Sequence, residues 1–497
     1  MAELDERPFP PGEYPVVVVG SGPGGLQTSY CLKRLGIEHA VVSQDDSPGG
    51  MFRKWPIYQR LLSWTKPDAP VERGTRAYEW YDHNSLLGEE TGEQALVAEF
   101  MDRTWMVPSR PEMEQGLAAF ADRAGVAVRY GCRWESTRQE DDGFVLVTSD
   151  GAYRCKAAVF AIGVTDPMKM PIPGIEDVPH YVETGRPRDY EGKRVVVIGK
   201  RNSGFEIADG MVPWARQVLL VSPRPVAADV LATSTVRVRY LQPYEDHSWG
   251  GGTFALDAAI ERIERTSGGY RIVANGTTYP GALELEADVA IAATGFRTPL
   301  LDLPDLGCST VKQGALPAQT HHWESATVPG IYFAGNATQA AAGLRKHGVG
   351  SASAAVSGFR YNARLLAAHI AAKHFGHAAP RRGLGRDEVV PFLTAELTRA
   401  PELWTQKSYL ARVVGLDSEA GPTDEGIQPL AAFLDEGEGN ALAVAVEMDD
   451  QARIYPALYL RVGEELHEDH CPPQPLHDFE TDGYRAQLED LVKRGLG

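Results

Sequence analysis

The chain has 497 residues, enough for two or three domains, and its hydrophobic fraction of 43% and charged fraction of 23% are ordinary for a globular enzyme. A net charge of −18 without a basic stripe argues against a nucleic-acid partner, and five scattered cysteines without a C-x-x-C pair argue against a disulfide framework. The N-terminus has no signal-peptide pattern and no apolar run reaches membrane-spanning length, so we expect a cytoplasmic protein without a membrane partner.

The first predicted unit is a strand, a helix and a second strand, with a glycine-rich turn between the first two. The β-branched run YPVVVVG is typical of a strand that is buried on both faces of a parallel sheet. Gly20, Gly22 and Gly25 complete the pattern G-x-G-x-x-G at the start of the helix. Such glycines allow a tight turn, the close approach of a pyrophosphate and close helix packing, so we predict a dinucleotide-binding unit.

The ribose contact of this unit has two candidates. An acidic side chain about twenty residues after the turn usually holds the ribose hydroxyls. Asp45 has that spacing, while Ser43 ends the strand HAVVS itself. A solvated turn that includes Asp45 and Asp46 stays open as the alternative.

A second unit of the same kind follows a proline-rich stretch, residues 165–192, which we interpret as an inter-domain linker. After the run KRVVVIG, Gly199 and Gly204 keep the first and last glycines of the turn, but Arg201 replaces the middle one. Its planar guanidinium matches a phosphate, and Arg224 stands at the next strand end, where a 2′-phosphate requires a cation. We therefore predict NADPH binding here, with a solvated surface position for Arg224 as the alternative.

Two dinucleotide units in one chain indicate two cofactors, a flavin held in the first domain and the nicotinamide that reduces it. Beyond the second unit, ADVAIAATGF and GIYFAGNA are typical of further buried strands, and a long helical stretch follows. We predict an α/β fold with two Rossmann-like dinucleotide-binding domains and a C-terminal α+β extension. The predicted ranges are 1–172 and 323–378 for a discontinuous FAD-binding domain, 186–322 for an inserted NADPH-binding domain, and 379–497 for the extension or cap.

Six motifs in this order make the chain resemble the two-domain FAD- and NADPH-dependent flavoprotein monooxygenases, a class that includes flavin-containing monooxygenases and amino-acid N-hydroxylases. They are VVVVGSGPGG, PGGMFRKW, AIGVTDPMKMPIPG, VIGKRNSG, ATGF and GIYFAGNA. The ATGF stretch is similar to the ATG-aromatic stretch of the N-hydroxylases. The resemblance is therefore closest in style to amino-acid N-hydroxylating and nitrosuccinate-forming enzymes.

The resemblance implies cofactor contacts for specific residues of this chain. The implied FAD contacts are Gly20, Gly22, Gly25, Ser43, Asp45, Gly49, Gly50, Arg53, Trp55, Gly335 and Asn336. The implied NADPH contacts are Gly199, Arg201, Asn202, Ser203, Gly204, Arg224, Thr294 and Gly295.

The resemblance also implies a reaction. NADPH reduces FAD, O₂ adds to the reduced flavin, and the resulting hydroperoxide oxygenates a small nucleophilic substrate. An amino-acid substrate would need cations for its carboxylates, and Lys66 and Arg297 are the candidates. We expect N-oxygenation of an aspartate-type amine toward a nitroso or nitro product, with the alternative that both side chains are surface or cofactor-phosphate contacts.

Other functions stay open to different degrees. A flavin disulfide reductase would require a redox-active cysteine pair, which the sequence does not contain. Oxygenation at sulfur or carbon, a flavin-dependent NADPH reductase and a non-catalytic nucleotide sensor remain alternatives. The oligomeric state also stays open, with a homo-oligomer as one of the options. His180 has Gly174 where the linker motif F-x-G-x-x-x-H has phenylalanine, which argues against the flavin-containing and Baeyer–Villiger branches.

The sequence predicts no metal site. The segment 467–471 (HEDHC) and the pair His321 and His322 both lack the paired spacing of zinc ligands. Lys346 or His347, next to the last flavin motif, is a candidate for stabilising flavin charge, with a solvent-facing loop as the alternative.

Overall fold

The computed structural model describes residues 6–59, 61–226, 252–344, 346–348, 351–378, 381–416, 421–474 and 476–496. Its strands, in chain order, are β1 Gly12–Glu13, β2 Val16–Val19, β3 His39–Val42, β4 Trp134–Glu140, β5 Gly143–Thr148, β6 Gly151–Cys155, β7 Ala157–Phe160, β8 Asp166–Pro167, β9 Arg194–Ile198, β10 Gln217–Ser222, β11 Thr253–Thr266, β12 Gly269–Gly276, β13 Ala282–Ala287, β14 Val289–Ala292, β15 Phe296–Arg297, β16 Thr310–Val311, β17 Leu316–Pro317, β18 Ile331–Phe333, β19 Arg382–Gly383, β20 Leu410–Gly415, β21 Thr423–Pro429, β22 Ala441–Met448, β23 Ile454–Val462 and β24 Glu465–His470. Its α-helices are α1 Pro23–Arg34, α2 Leu96–Phe100, α3 Arg110–Arg123, α4 Asn202–Met211, α5 Val356–Phe375, α6 Val389–Arg399, α7 Pro401–Thr405, α8 Leu430–Glu436 and α9 Asp482–Leu496. Short 3₁₀ helices span Gly50–Arg53, Arg76–Tyr81, Ile175–Asp177, Tyr181–Glu183, Pro187–Tyr190, Gly335–Ala340 and Ala352–Ala354.

A parallel sheet with the strand order β18-β7-β2-β3 forms the core of the first domain. Its strands are short and apolar because both faces are covered, and all four residues of β2 are buried. Helix α1 follows β2 directly and carries Pro23 in its first turn, where the missing N–H interrupts no helix hydrogen bond. The sheet β1-β6-β5-β4, in which β1 and β6 pair in parallel and the other pairs are antiparallel, packs on the same core through Trp134 and Phe144.

The second domain is a six-stranded sheet in the order β13-β12-β11-β10-β9-β14. Strands β9, β10, β11 and β14 pair in parallel, and β11 continues into an antiparallel meander with β12 and β13. In sequence, the whole sheet lies between β7 and β18 of the first sheet. The predicted discontinuous first domain with an inserted second domain is therefore confirmed.

The two crossings between these domains pair with each other. Strands β8 and β15 form a two-stranded antiparallel ribbon, in which Phe296 lies opposite Pro167 and Arg297 opposite Asp166. Directly after the ribbon, Leu300 already packs in the apolar cluster of the first domain. The contacts of the first domain therefore resume near residue 300, ahead of the boundary at 323 that the sequence predicts.

The C-terminal extension is a sheet of six strands, in the order β19-β21-β20-β22-β23-β24, covered by α6 to α9. All its described strand pairs are antiparallel. This sheet confirms the predicted α+β character of the extension and completes the predicted fold class. None of the described helices has the length and apolarity that a membrane crossing requires.

Candidate active site

The two glycine turns are built in the same way at their first residue. Gly20 and Gly199 have φ angles of +113° and +124°, a region that side chains rarely adopt. A Cβ on Gly20 would lie 2.5 Å from the carbonyl oxygen of Ala161, and one on Gly199 would lie 2.3 Å from that of Ala293. Each turn therefore passes directly against the end of the neighbouring parallel strand.

The last glycine of each turn also has the same role. A Cβ on Gly25 would lie 2.0 Å from the carbonyl oxygen of Gly20, and one on Gly204 would lie 2.3 Å from that of Gly199. Arg201, at the middle position of the second turn, has an ordinary φ of −113° and an exposed side chain. The backbone of the second turn therefore accommodates the arginine without strain.

A fourth glycine in the first turn is sterically required, and the sequence analysis missed it. A Cβ on Gly24 would lie 2.4 Å from Cα of Gly335, in the loop after β18. A Cβ on Gly50 would lie 2.8 Å from Cα of Gly22. Three backbone segments therefore meet at these contacts. In the sequence, the doublet Gly24–Gly25 is the feature that could have indicated this close approach of the backbone.

One cavity of about 810 Å³ runs from the first turn to the second. Its lining includes residues of the first turn (Gly20, Ser21, Gly22, Pro23 and Gly24), of the middle part (Gly50, Met51, Phe52, Lys54, Trp55, Leu61, Leu62, His83, Asn84, Gly335, Asn336, Gln339 and Phe359) and of the second domain and its linkers (Asp166, Tyr181, Asn202, Ser203, Glu206, Phe296, Pro299 and Leu301). A single cavity therefore serves both dinucleotide units.

At one end of the cavity, the two candidates for the ribose contact, Ser43 and Asp45, belong to one hydrogen-bonded group. The Oγ atoms of Ser21 and Ser43 lie 2.9 Å apart, and the backbone N–H of Asp45 donates to Ser43 Oγ at 3.2 Å. Both hydroxyls also donate to Asp45 Oδ2, at 3.4 and 3.5 Å. Arg53 pairs instead with Asp46 and, through that hydrogen bond, lowers the pKa of the Asp46 carboxyl.

In the middle of the cavity, the first domain contacts the second through aromatic and polar side chains. The rings of Trp55 and Phe296 stack at 5.7 Å between centroids. Buried Glu206 of α4 accepts the backbone N–H of Tyr58 at 2.7 Å and the hydroxyl of Tyr181 at 2.8 Å. These contacts hold the start of α4 next to the first domain.

The predicted residues of the second unit divide into two groups. Asn202 and Ser203, the first residues of α4, line the cavity. The side chains of Arg201 and Arg224 are exposed and are not among the cavity-lining residues. Asn202 and Ser203 therefore reach the cavity, and all four residues remain predicted NADPH contacts.

An unpredicted ion pair supports the second turn from beneath. The side chain of Lys200 is only 2% exposed, donates to the carbonyl oxygen of Leu256 at 2.7 Å and pairs with the carboxylate of Asp257. The hydrogen bond from Lys200 lowers the pKa of Asp257. No local pattern signals this pair, because Lys200 lies in the turn after β9 and Asp257 lies on β11, 57 positions further along the chain.

Four further predicted residues lie away from the cavity lining. Thr294 Oγ1 donates to the carbonyl oxygen of Met168 at 2.5 Å, and the Gly295 carbonyl lies 3.1 Å from Nε2 of His180. The Lys66 ammonium lies 4.3 Å from the centre of the Trp64 ring. Arg297 is 57% exposed and lies 3.6 Å from Asp166 across the ribbon. Lys66 and Arg297 are thus not brought together on the cavity.

Lys346 and His347 are not among the cavity-lining residues either. Lys346 Nζ donates to Glu447 and Glu468 at 2.9 and 2.7 Å, and His347 Nε2 lies 2.5 Å from Glu447. Both therefore contact the C-terminal sheet, which corrects the expectation that they stabilise the flavin. No described residue after Phe359 lines the cavity, so a capping role for the extension finds no support there.

The five cysteines are all buried, unpaired and absent from the cavity lining. Burial raises the pKa of Cys31 to about 11 and that of Cys155 to about 12, which keeps both thiols protonated at neutral pH. Because the thiolate is the reactive form, this cavity is not equipped for disulfide exchange.

The residues present fit two dinucleotide cofactors. The closely packed glycine backbone at Gly22, Gly24 and Gly50 leaves a groove that side chains would fill. The N-termini of α1 and α4 open beside the cavity, and the side chain of the N-cap residue Arg201 makes no cap hydrogen bond, while the N-cap Gly22 has no side chain. The start of a helix favours phosphate binding, so each turn fits a pyrophosphate.

The chain matches a known family model over most of its first two domains. The model described as pyridine nucleotide-disulphide oxidoreductase covers residues 17–335.

Curated relatives match parts of the chain. FAD-dependent oxidoreductase domain-containing protein 2 of Danio rerio is 28% identical over 218 residues, which cover 42% of this chain and 31% of that protein. The match to this first relative thus spans less than a third of its length. Ferredoxin–NADP reductase of Thermus thermophilus is 27% identical over 65% of this chain and 84% of that protein. The probable indole-3-pyruvate monooxygenase YUCCA9 of Arabidopsis thaliana is 28% identical over 39% of this chain and 43% of that protein.

Solved structures share the fold. Bacillithiol disulfide reductase Bdr from Bacillus cereus superposes with a TM-score of 0.56 at 20% identity, over 73% of this chain and all of that one. A flavin-containing monooxygenase from Stenotrophomonas maltophilia superposes with a TM-score of 0.55 at 19% identity, over 72% of this chain and 98% of that one.

Proposed function

We propose that this chain, which belongs to the pyridine nucleotide-disulphide oxidoreductase family, is an FAD- and NADPH-dependent oxidoreductase that acts as a monooxygenase on a small nucleophilic substrate. The observation that carries the proposal is the single cavity, which joins both dinucleotide turns and has no cysteine in its lining. The curated monooxygenase relative supports the same class of reaction.

The middle of the cavity suits a reaction that needs water exclusion. Phe52, Leu61 and Phe359 line it, together with the stacked rings of Trp55 and Phe296. When bound, NADPH would supply the hydride and FAD the means to activate O₂, so that one oxygen atom goes to the substrate and the other leaves as water. An apolar lining limits the entry of water, which would otherwise divert this chemistry into peroxide release.

The chain's own residues bind and orient the two cofactors in this proposal. The turn of Gly20 to Gly25 and the Ser43–Asp45 group hold the FAD pyrophosphate and ribose. Asn202 and Ser203 offer the start of α4 to the NADPH pyrophosphate. Glu206 fixes α4 against the first domain through Tyr58 and Tyr181, and thereby sets the position of the nicotinamide end.

We propose the amine of an amino acid as the oxygenated group, with Lys54 as the partner of a substrate carboxylate. Lys54 lines the cavity next to Trp55, and its ammonium provides the charge that a carboxylate requires. Lys66 and Arg297, the candidates from sequence, do not line the cavity. Arg133 also lines the cavity, but its guanidinium already pairs with Glu135 at 2.7 Å. An aspartate-type substrate with two carboxylates therefore has less support than a monocarboxylic amino acid.

The test is NADPH consumption under air by the FAD-loaded protein, with amino acids and simple amines as substrates and peroxide measured alongside. We expect at least one amino acid to speed NADPH consumption without matching peroxide and to take up one atom of ¹⁸O from ¹⁸O₂. Ferricyanide is added as an electron acceptor in a parallel arm. Rapid ferricyanide reduction, with no substrate taking up ¹⁸O, would contradict the proposal and favour a reductase of the ferredoxin–NADP kind.

A further inference from the structure

A group of histidine and glutamate side chains lies between the first domain and the C-terminal domain, and none of its members lines the cavity. His321 and His322 precede β18, and Glu436 is the last residue of α8. Their ligand atoms all lie within 4.8 Å of one another. Nε2 of His321 is 3.0 Å from one carboxylate oxygen of Glu436, and Nε2 of His322 is 3.6 Å from the other.

The ring nitrogens of this group are incompletely satisfied. Nε2 of His321 is buried and lies 3.0 Å from the Glu436 carboxylate, but the geometry of this contact is not that of a hydrogen bond. The ring of His369, from α5, stacks on His322 with 4.1 Å between centroids, and its Nε2 is buried without a hydrogen-bond partner among the described residues. Buried polar atoms are normally satisfied, so these nitrogens indicate that the group lacks a ligand.

The charge state of the group suits a cation. The imidazole rings of His321 and His322 carry nitrogen lone pairs, as metal ligation requires. Glu436 adds one negative charge.

We propose that His321, His322 and Glu436 bind one Zn²⁺ ion, which fastens helix α8 of the C-terminal domain to the first domain. Two imidazoles and a carboxylate form a common ligand set for Zn²⁺, and a water molecule completes the tetrahedron. The sequence gives no paired spacing for this site, because Glu436 comes from a distant part of the chain. That explains why the sequence analysis predicts no metal here.

A second group with similar composition serves as the matched control. Glu447, Glu468 and His470 also have ligand atoms within 4.8 Å of one another. However, the ammonium of Lys346 donates to both carboxylates, at 2.9 and 2.7 Å, and already occupies the place of a cation. A metal ion there would be repelled by the lysine, so only the first group is proposed as a site.

The experiment uses the full-length, FAD-loaded protein after EDTA treatment and removal of the chelator, with Zn²⁺ alone as the probe. Calorimetry should show one Zn²⁺ per chain, and Co²⁺ in its place should give the visible absorption of a tetrahedral site. Glu436→Gln and His322→Asn should each weaken Zn²⁺ binding by more than about 100-fold, since loss of a group that only orients a ligand costs about 10- to 100-fold. Glu468→Gln should leave it unchanged.

Thermal unfolding provides a second readout that does not depend on activity. Saturating Zn²⁺ should raise the Tm of the wild type and of Glu468→Gln, but not that of Glu436→Gln. Glu436 has a 59% exposed side chain, so this variant should fold and keep its FAD. The absence of stoichiometric Zn²⁺ binding to the wild type, or undiminished binding to Glu436→Gln and His322→Asn, would overturn the proposal.

Discussion

Gly22 and Gly24 stand two positions apart in one turn but meet different neighbours. A Cβ on Gly24 would lie 2.4 Å from Cα of Gly335, whereas one on Gly22 would have its nearest neighbour, Cα of Gly50, at 3.8 Å. We expect Gly24→Ala to lower the free energy of unfolding of the FAD-free protein by about 1–3 kcal/mol, as overpacking does. Gly22→Ala should reduce FAD content by obstructing the pyrophosphate while leaving that free energy unchanged.

Urea unfolding of both apo variants and the flavin-to-protein absorbance ratio after FAD loading check these expectations. Equal unfolding free energies for the two variants would show that the Gly335 loop moves away at little cost.

The cation that contacts substrate can be identified by three matched substitutions. Under the proposed function, Lys54→Met should raise KM for the amino-acid substrate about 1.5- to fivefold, the range for an exposed carboxylate pair, with FAD content unchanged. Lys66→Met and Arg297→Met should leave KM unchanged, because neither side chain lines the cavity. Steady-state oxygen uptake gives KM for all three variants. A rise in KM confined to Arg297→Met would show instead that Arg297 contacts the substrate.

At this scale, the sequence predicts what depends on local spacing. Gly20, Gly25, Gly199 and Gly204 are packed as their motif requires, because the turn and helix that need them are adjacent in the chain. Lys200 finds its partner on β11, and no local pattern carries that information.

At the scale of elements, the linkers between the domains are the least predictable part. Proline content indicates the first linker, but its pairing with residues 296–297 as a ribbon depends on the end of the inserted domain returning to the same place. The position of the Arg297 side chain results from this pairing. Its side chain lies across the ribbon from Asp166 and does not reach the cavity.

His180, beside this ribbon, makes the stability of the linker depend on pH. It is 1% exposed, its Nε2 lies 3.1 Å from the Gly295 carbonyl, and burial lowers its pKa. In the unfolded chain its pKa returns to about 6.5, so the unfolded state binds a proton that the native state does not. We therefore expect the free energy of unfolding to fall as the pH decreases below about 6.5.

The contribution of His180 can be separated by two substitutions. His180→Asn keeps an acceptor for the backbone N–H of Val182 and should reduce the loss of urea stability between pH 8 and pH 5.5. His377→Asn, at an exposed position, should leave that loss unchanged. A loss as large in His180→Asn as in the wild type would contradict the assignment.

In the whole molecule, one apolar core extends through the first and C-terminal domains. Phe120 of α3, Leu366 of α5, Leu393 of α6 and Leu458 of β23 belong to the same buried cluster. Salt bridges reinforce this interface, where Arg76 contacts carboxylates of α6 and α7. The extension is therefore part of the core and cannot be regarded as a separate appendage.

A chain truncated after residue 378 tests this interpretation. Because the cluster would lose its C-terminal half, we expect the fragment 1–378 to aggregate or to bind a hydrophobic dye, and to retain little FAD. Co-expression with residues 379–497 should restore FAD content. A monomeric fragment 1–378 with full FAD and cooperative unfolding would show instead that the first two domains suffice.

The fold class could be predicted for this scale, since alternating strand and helix patterns and two glycine turns specify two Rossmann-like domains. The return of the chain to the first domain near residue 300 could not be predicted. Only the apolar cluster in which Leu300 and Cys308 pack shows that they belong to the first domain. The same holds for the grouping of His321 and His322 with Glu436.

The pairing of β18 with β7 has a consequence for biosynthesis. Ile331 lies beside Ala158, from which it is separated by about 170 positions, so the whole inserted domain leaves the ribosome before the first sheet can be completed. Closing an open loop costs more as it lengthens, by about 0.6 kcal/mol for each doubling. If the insert folds first, the ribbon at its base already brings the two ends of the insert together. Most of the loop-closure entropy is then lost before the first sheet closes. Nascent chains that end just before Ile331 should accordingly contain a protease-resistant second domain within a still open first one.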